Sequence, residues 1–583
     1  MKKAICSMLA FLLAASMLAG CGGAKSAALK YDDQIKEDNG FNENLFYRND
    51  LETAIADPAV IYIDDESSTE YGYYYMFGTS DTGSFSAWRS KTLEHWEDVS
   101  ATKGFPAFYA PDDCFALSIF WAPEVIYDDG LDKYFLFFSG QSRYTEEWGV
   151  MLGVAEADEP YGPYVMTTRD GHDATTPLFD RDKVMEVIGE TGQGEVTELF
   201  TCIDPHPYIA PDGQKYLYFV RDRAGGEQKT HIWGVKMNTW TDPDYSSLTR
   251  LTRTGYYTVD DTSDENIASY EGTGNAINEG PYIYESRQAG GSYRYYLTLS
   301  INGWEDKTYS VIQAVGDSPL GPFTKLKEED GGILIGTDGQ SWDHISGPGH
   351  HSFIRVGEEL FILYHEHRDR MNGKSQRAAA IDRVSLTHNS KGEEVLYVNG
   401  PTWSLQPRPE VHAEYKNIAG EAEVSSSGGE NAEALTDKML SLYSYIDYVK
   451  EYTADKTTTI TLTFADYREV TGLMIYNSKF YDRAFIDVKR IEFDCRSADG
   501  KFDGTAYIDN LAFNWDFYRN EYADAMRPGG SAVAIFTPMQ VKEIRITIEL
   551  PETRPEDLQL IDENGYIVKQ SLVAVSEIAV LGK

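Results

Sequence analysis

The chain has 583 residues, with 93 Asp and Glu against 52 Lys and Arg, and a formal net charge of −41. Hydrophobic residues make up 42% and aromatics 13%, including forty tyrosines, which is ample for a packed core and excludes a disordered chain. Phosphate backbones repel so acidic a surface, so non-specific nucleic-acid binding is excluded too. At about 150 residues per domain the length allows up to four domains, and one large all-β domain with a smaller partner fits equally.

Lys2 and Lys3 precede an uncharged apolar run from Ala4 to Gly20, seventeen residues, short for a membrane span. It closes in Leu18-Ala19-Gly20-Cys21 and reads as a secretory signal over 1–20. The small residues before Cys21 resemble the lipobox of bacterial lipoproteins, which implies a lipidated cysteine as the new N-terminus and a protein held at the outer face of the bacterial cell membrane. An ordinary cleaved signal with a chance cysteine is the alternative. Residues 21–45 read as a polar tether. Cys6 leaves with the signal, and Cys114, Cys202 and Cys495 remain, with no C-x-x-C spacing, so no zinc site or disulfide framework is indicated. A Cys114–Cys202 bridge and buried free thiols are both open.

From about residue 50 the chain shows short β-rich runs between turn residues. Tyr71–Phe77, Lys133–Phe138, Lys215–Val220, Tyr293–Leu297 and Glu359–Tyr364 each follow a related segment. Those segments begin at Asp57-Pro58, Ala122-Pro123, Asp204-Pro205, Glu279-Gly280-Pro281 and Gly347-Pro348-Gly349-His350, spaced by 65, 82, 75 and 68 residues. Glu159-Pro160-Tyr161-Gly162-Pro163 returns as Ser318-Pro319-Leu320-Gly321-Pro322. Five degenerate units of several strands each predict a five-bladed β-propeller over 46–410, with a series of β-sandwiches as the alternative. In a propeller the corresponding innermost strands surround one axis, so Asp57, Asp204, Glu279 and His350 converge on one pocket. Asp-Pro and Glu-Gly-Pro are also ordinary turn sequences; the shared phase in the repeat is what singles these residues out.

Two carboxyls in different environments suit glycosidic hydrolysis, in which one protonates the leaving oxygen and the other activates water or attacks the sugar. A third acid nearby tunes the donor by like-charge repulsion. Here the residues carry a resemblance. Ala56-Asp57-Pro58, Trp121-Ala122-Pro123-Glu124, Ile203-Asp204-Pro205, Asn278-Glu279-Gly280-Pro281, Gly347–Ser352, Tyr364-His365 and Gly400-Pro401-Thr402 with Gln406-Pro407 together resemble glycoside hydrolase family 43. That resemblance implies a five-bladed propeller enzyme active on arabinose- and xylose-containing glycans, with Asp57 as general base, Glu279 as general acid and Asp204 tuning and orienting Glu279. It also implies inversion at the anomeric carbon and a carboxyl separation of roughly 6.5–9.5 Å. No organic cofactor is implied. His350 matches a pocket histidine that in many members contacts a central calcium or its water shell; a hydrogen-bonded structural histidine is the other reading. Arg377 matches an arginine placed over the sugar, or else forms a surface ion pair. Trp88, Trp121 and Trp304 are candidates for sugar stacking, or for the core.

After Pro409 the character changes. Asn417-Ile418-Ala419, a Ser/Gly stretch at 425–429 and strands such as Thr459–Phe464, Glu543–Ile548 and Val575–Val580 predict a β-sandwich over 411–583. It resembles discoidin-like carbohydrate-binding modules, whose loop cation would fall near Asp437. A glycan-binding module and a structural sandwich packed on the propeller both fit. The whole reads as an all-β, surface-anchored inverting glycosidase of the α-L-arabinofuranosidase or β-xylosidase type, acting on plant cell-wall polysaccharides or their oligosaccharides. Its partners are a saccharide and, through the lipid, a membrane; oligomeric state is not readable. A propeller hydrolase of other specificity (galactan, or fructan with retaining chemistry) and a non-catalytic glycan-binding lipoprotein are the rivals.

Overall fold

The computed structural model describes residues 25–29, 44–49, 53–80, 82–143, 149–193, 201–221, 229–255, 267–271, 276–337, 345–367, 377–402, 404–511, 529–552 and 554–583. The signal sequence and Cys21 lie outside them. Among the described residues no helix is long and apolar enough to cross a membrane.

Five antiparallel sheets follow one another along the chain, each with its strands in sequence order. Blade 1 holds Ala59–Tyr62, Tyr74–Phe77, Trp88–Ser90 and Glu97–Asp98; blade 2 holds Ala116–Asp128, Lys133–Ser142, Val150–Ala157 and Val165–Met166. Blade 3 holds Cys202–Ile209, Lys215–Arg221, His231–Thr239 and Asp242–Arg250. Blade 4 holds Asn278–Arg287, Tyr293–Ile301, Ser310–Gly316 and Thr324–Lys325, with Ile333–Ile335 added beside its third strand. Blade 5 holds Gly349–Val356, Glu359–His367, Arg377–His388 and Glu394–Val398. The first strand of each blade touches the first strands of both neighbours, blade 5 touching blade 1, so the five surround one axis. This is the predicted propeller. The second strands are buried almost throughout because neighbouring blades cover both their faces, which explains runs such as Tyr134–Phe138.

The ring is closed by the segment before blade 1. Phe46–Tyr47 pairs with Gln406–Pro407, and Ile55 N–H donates to Arg377 O at 3.0 Å. Buried Asn49 mimics a strand, accepting from Ile381 N–H at 2.8 Å and donating to Ile381 O at 2.9 Å. Cys114, Cys202 and Cys495 are buried free thiols; burial pushes the Cys202 thiol up to about 12, so it is inert rather than nucleophilic.

The C-terminal strands form one sheet in the order Ser26–Ala28, Asp503–Leu511, Val488–Ser497, Ser531–Ile548, Thr458–Asn477, Val573–Gly582 and Lys416–Asn417. Register shifts within Thr458–Asn477 bend this sheet over an apolar core that includes Ile460, Leu462, Leu473, Ile475, Phe493, Ile544 and Ile578. The intervening residues Met474, Tyr476, Val533, Ile535, Ala579 and Leu581 point the other way, into a second cluster with Leu45, Phe46 and Tyr397 of the propeller side and Leu440, Leu442 and Tyr443 of the connecting loop. Tyr443 OH donates to Gly400 O at 2.6 Å, and Tyr476 OH to Leu405 O at 2.9 Å. The sandwich is therefore packed on the propeller through an apolar cluster. This supports the structural role weighed above and leaves glycan binding untested.

Within the expected tether, 21–45, Ser26–Ala28 pairs in parallel with Thr505–Tyr507 and caps that edge of the sheet. Gly504 is small because a Cβ there would collide with the Lys25 carbonyl.

Two outcomes follow. Tyr443→Ala should cost about 3–5 kcal/mol and lower one shared unfolding transition of propeller and sandwich in calorimetry; two well-separated transitions in the wild-type protein would contradict the packed interface. Gly504→Val should unseat Ser26–Ala28, seen as fast hydrogen exchange at Leu29 and Thr505, while the sandwich strands stay protected.

Candidate active site

In or just before each innermost strand, a residue at one corresponding place has left-handed backbone: Asp57 (φ 53°), Ala122 (φ 43°), Asp204 (φ 55°), Gly280 (φ 56°) and His350 (φ 44°). Four of them are not glycine, and such a conformation costs roughly 1–2 kcal/mol each. The strand is irregular there. The residue before the left-handed position pairs with one on the second strand, and the residue two after it pairs two positions back, as in Glu279↔Ser300 and Tyr282↔Thr298. The same skip recurs at Ile203↔Val220 with His206↔Tyr218, and at Gly349↔His365 with Ser352↔Leu363. This bulge turns the side chain toward the axis and frees the backbone N–H from the ladder.

Each freed N–H is caught by the preceding blade. Asp57 N–H donates to His365 Nδ1 at 3.2 Å, Ala122 N–H to Thr79 Oγ1 at 2.8 Å, Asp204 N–H to Ser139 Oγ at 3.0 Å and His350 N–H to Ser300 Oγ at 2.9 Å. Those acceptors occupy one position near the end of the second strand. In blade 3 that position is Val220, which offers no acceptor, and Gly280 N–H donates instead to Asp204 Oδ2 at 3.0 Å. Asp204 thereby holds the residue next to Glu279.

The repeat phase is thus corrected by one residue. Gly280, not Glu279, corresponds to Asp57, Asp204 and His350; Glu279 reaches the pocket from the preceding position. Gly280 suits its place, since a Cβ on it would stand 3.2 Å from the His350 ring.

Asp57 and Asp204 share a backbone position but not an environment. Burial alone would push the Asp57 carboxyl up, but Arg377, His350 and the Thr79 hydroxyl outweigh it and hold Asp57 well below the usual carboxylate range. Its Oδ1 lies 2.9 Å from Arg377 Nη1 and 3.2 Å from His350 Nδ1, and its Oδ2 accepts from Thr79. His365 Nδ1 also lies 3.5 Å from Oδ1. It accepts the Asp57 N–H, however, and burial holds this imidazole well below its ordinary value, so His365 is neutral and the pair is not ionic. For Asp204, burial comes first and the nearby charges of Glu279 and Asp57 add to it; His350 and the Gly280 N–H oppose them, and the carboxyl is pushed up to about 7.

Glu279 is partly exposed, and its Oε1 accepts from Tyr309 OH at 2.7 Å. Arg377 stands 4.5 Å from the centroid of Trp304, which is 37% exposed, so the ion pair with Asp57 is made beneath an open aromatic face. Trp121 precedes Ala122 on the innermost strand of blade 2. Trp88 is not part of this group: it lies on the third strand of blade 1 and packs partly buried against the cluster of Tyr47, Ile55, Val60 and Met76. A calcium ion takes about six to eight oxygen ligands, and among the described residues no three His, Cys, Asp or Glu side chains converge to hold a metal. His350 Nδ1 lies 3.2 Å from Asp57 Oδ1, and the chemistry below is derived from protein groups. In the sandwich, burial pushes the Asp437 carboxyl up to about 6.

Thr79, Ser139, Ser300, His365 and Tyr309 were given no role from sequence, His365 entering only within the Tyr364-His365 piece of the resemblance. The first four had a signal, because each is the polar residue that interrupts a buried apolar run near the end of a second strand; Tyr309 had none.

A raised Asp204 carries a stability consequence. Unfolded Asp titrates near 3.8 and the folded group near 7, so between these values only the folded state keeps the proton, and stability falls as pH rises through that window. Asp204→Asn can still accept the Gly280 N–H and has no such dependence. Its melting temperature should gain on the wild type from pH 5 to pH 8, measured by calorimetry, while activity drops.

The family model for glycosyl hydrolases family 43 matches residues 51–184 and 191–391, the propeller that carries this site. The chain is 26% identical over 273 residues to a β-D-galactofuranosidase of Aspergillus niger, a match covering 46% of this chain and 59% of that protein. Among solved structures, a thermostable family-43 glycoside hydrolase matches at 27% identity and a TM-score of 0.48, over 62% of this chain and 99% of that one. An α-L-arabinofuranosidase from Lactobacillus brevis matches at 20% identity and a TM-score of 0.41, over 60% and 95%. On the extent of the family match, the chain belongs to glycosyl hydrolase family 43.

Proposed function

We propose that this protein is an inverting glycosidase in which Glu279 protonates the leaving oxygen while water activated by Asp57 attacks the anomeric carbon. The observation that carries the reading is the contrast within one pocket. Asp57 is held ionised by Arg377, His350 and Thr79, the state a general base needs. Asp204, its backbone counterpart, is buried and pushed up to about 7; it holds Gly280 and so positions the neighbouring Glu279. Trp304 and Trp121 offer aromatic faces to the sugar, and Arg377 binds beside Asp57.

The substrates proposed are arabinofuranosyl or xylosyl linkages of plant cell-wall polysaccharides and their fragments. The name of the Aspergillus relative, a β-D-galactofuranosidase, favours a second reading, a β-D-galactofuranosyl substrate on the same acids. The enzyme would act outside the cell, held to the bacterial membrane by a lipid on Cys21; the run Ala4–Gly20 ending in Leu-Ala-Gly-Cys supports this.

Nitrophenyl α-L-arabinofuranoside, β-D-xyloside and β-D-galactofuranoside, tested beside linear arabinan and xylan, separate the substrates. On the one cleaved, Asp57→Asn and Glu279→Gln should each lower kcat by about 10²–10⁴-fold on an unactivated linkage, and NMR should show the inverted anomer first. Full activity in either variant, or a retained first anomer, would overturn the mechanism.

A further inference from the structure

The geometry points to Tyr309 as the positioning residue that decides which oxygen of Glu279 delivers the proton and that ties the acid to the base across the pocket. The inference rests on the reading of Glu279 as general acid and extends it. Tyr309 is fully buried just before the third strand of blade 4, and its hydroxyl donates to Glu279 Oε1 at 2.7 Å. It stands in a one-way chain. His350 N–H donates to Ser300 Oγ at 2.9 Å, Ser300 hydrogen-bonds the Tyr309 oxygen, and Tyr309 donates to Glu279. The Ser300 hydroxyl accepts that N–H and keeps its own proton to donate to the Tyr309 oxygen, which leaves the phenol proton for Glu279. An oxygen that accepts the phenol proton is not the one that bears the carboxyl's own hydrogen, so the transferable proton of Glu279 sits on Oε2.

The ring does a second job. It lies nearly parallel to the His365 imidazole, with centroids 5.7 Å apart and planes 11° from each other, and His365 Nδ1 holds the Asp57 N–H. One side chain therefore touches the acid through its hydroxyl and the base's holder through its face. Gly349 leaves the space for it, since a Cβ at that position would collide with the Tyr309 ring. Without the hydroxyl, the Glu279 proton distributes over both oxygens, and only one of them faces the leaving group.

Proton donation matters for a poor leaving group and little for an activated one. The test compares kcat and KM of the full chain on the 2,4-dinitrophenyl and the methyl glycoside of the sugar it cleaves. Tyr309→Phe keeps the stack and should lose about tenfold or more in kcat on the methyl glycoside, with less than about a twofold change on the dinitrophenyl glycoside and unchanged KM. Gly349→Ala, which displaces the ring while keeping the hydroxyl, should show the same selectivity. Equal losses on both substrates, or no loss on either, with Tyr309→Phe melting like the wild type, would overturn the role of Tyr309. Glu279→Gln is run alongside. If it spares the methyl glycoside, the assignment of Glu279 as acid falls instead, so the two failures are told apart.

Discussion

The structure turns on one repeated backbone device. At one corresponding point in or just before every innermost strand the chain enters the left-handed region, and the N–H this frees is bonded by a side chain of the preceding blade. The conformation is costly for the four non-glycine residues that adopt it, and an unbonded buried N–H would add a further ~1–3 kcal/mol at each. The inter-blade hydrogen bond removes that second cost and fixes one blade against the next. A five-bladed ring thus has five such clasps, and the side chains at and beside them are necessarily aimed at the axis. The pocket is a by-product of how the ring is held together.

The clasps also set the electrostatics. Thr79 takes the Ala122 N–H and donates to Asp57, so the oxygen anchoring blade 2 also fixes the carboxylate of blade 1. Where the acceptor position holds Val220, the carboxylate of Asp204 makes the clasp itself. Burial and the charges of Glu279 and Asp57 then hold its proton toward neutral pH against His350. Two aspartates at one backbone position are driven apart in acidity: Arg377, His350 and Thr79 hold one ionised, while burial and the charges of Glu279 and Asp57 raise the other. Arg377 reaches Asp57 from a strand that also pairs with the segment leading into blade 1, so closing the ring and charging the base are one event.

The C-terminal sandwich follows a different rule. Its central strands are apolar on both faces because one face builds its own core and the other meets the propeller. Such strands would expose a broad apolar sheet if the domains parted. The edge of the same sheet is covered by Ser26–Ala28, from the far end of the chain.

What the sequence by itself determined was periodic or local: the five-fold repeat, three acids in or beside one phase of it, the signal-like run to Cys21, and the change of character after Pro409. Each of these is written in residues close together or spaced by a constant interval. What only the tertiary structure decided was which residues meet. Glu279 lies one position out of phase because a left-handed residue must follow it, and a degenerate repeat does not show where the bulge falls. Trp88 is as aromatic as Trp304, and only packing puts one between blades and the other over Arg377. The partners of Asp57 lie 308 and 320 residues away in His365 and Arg377. No spacing rule reaches that far, because such contacts exist only once the last blade has closed on the first.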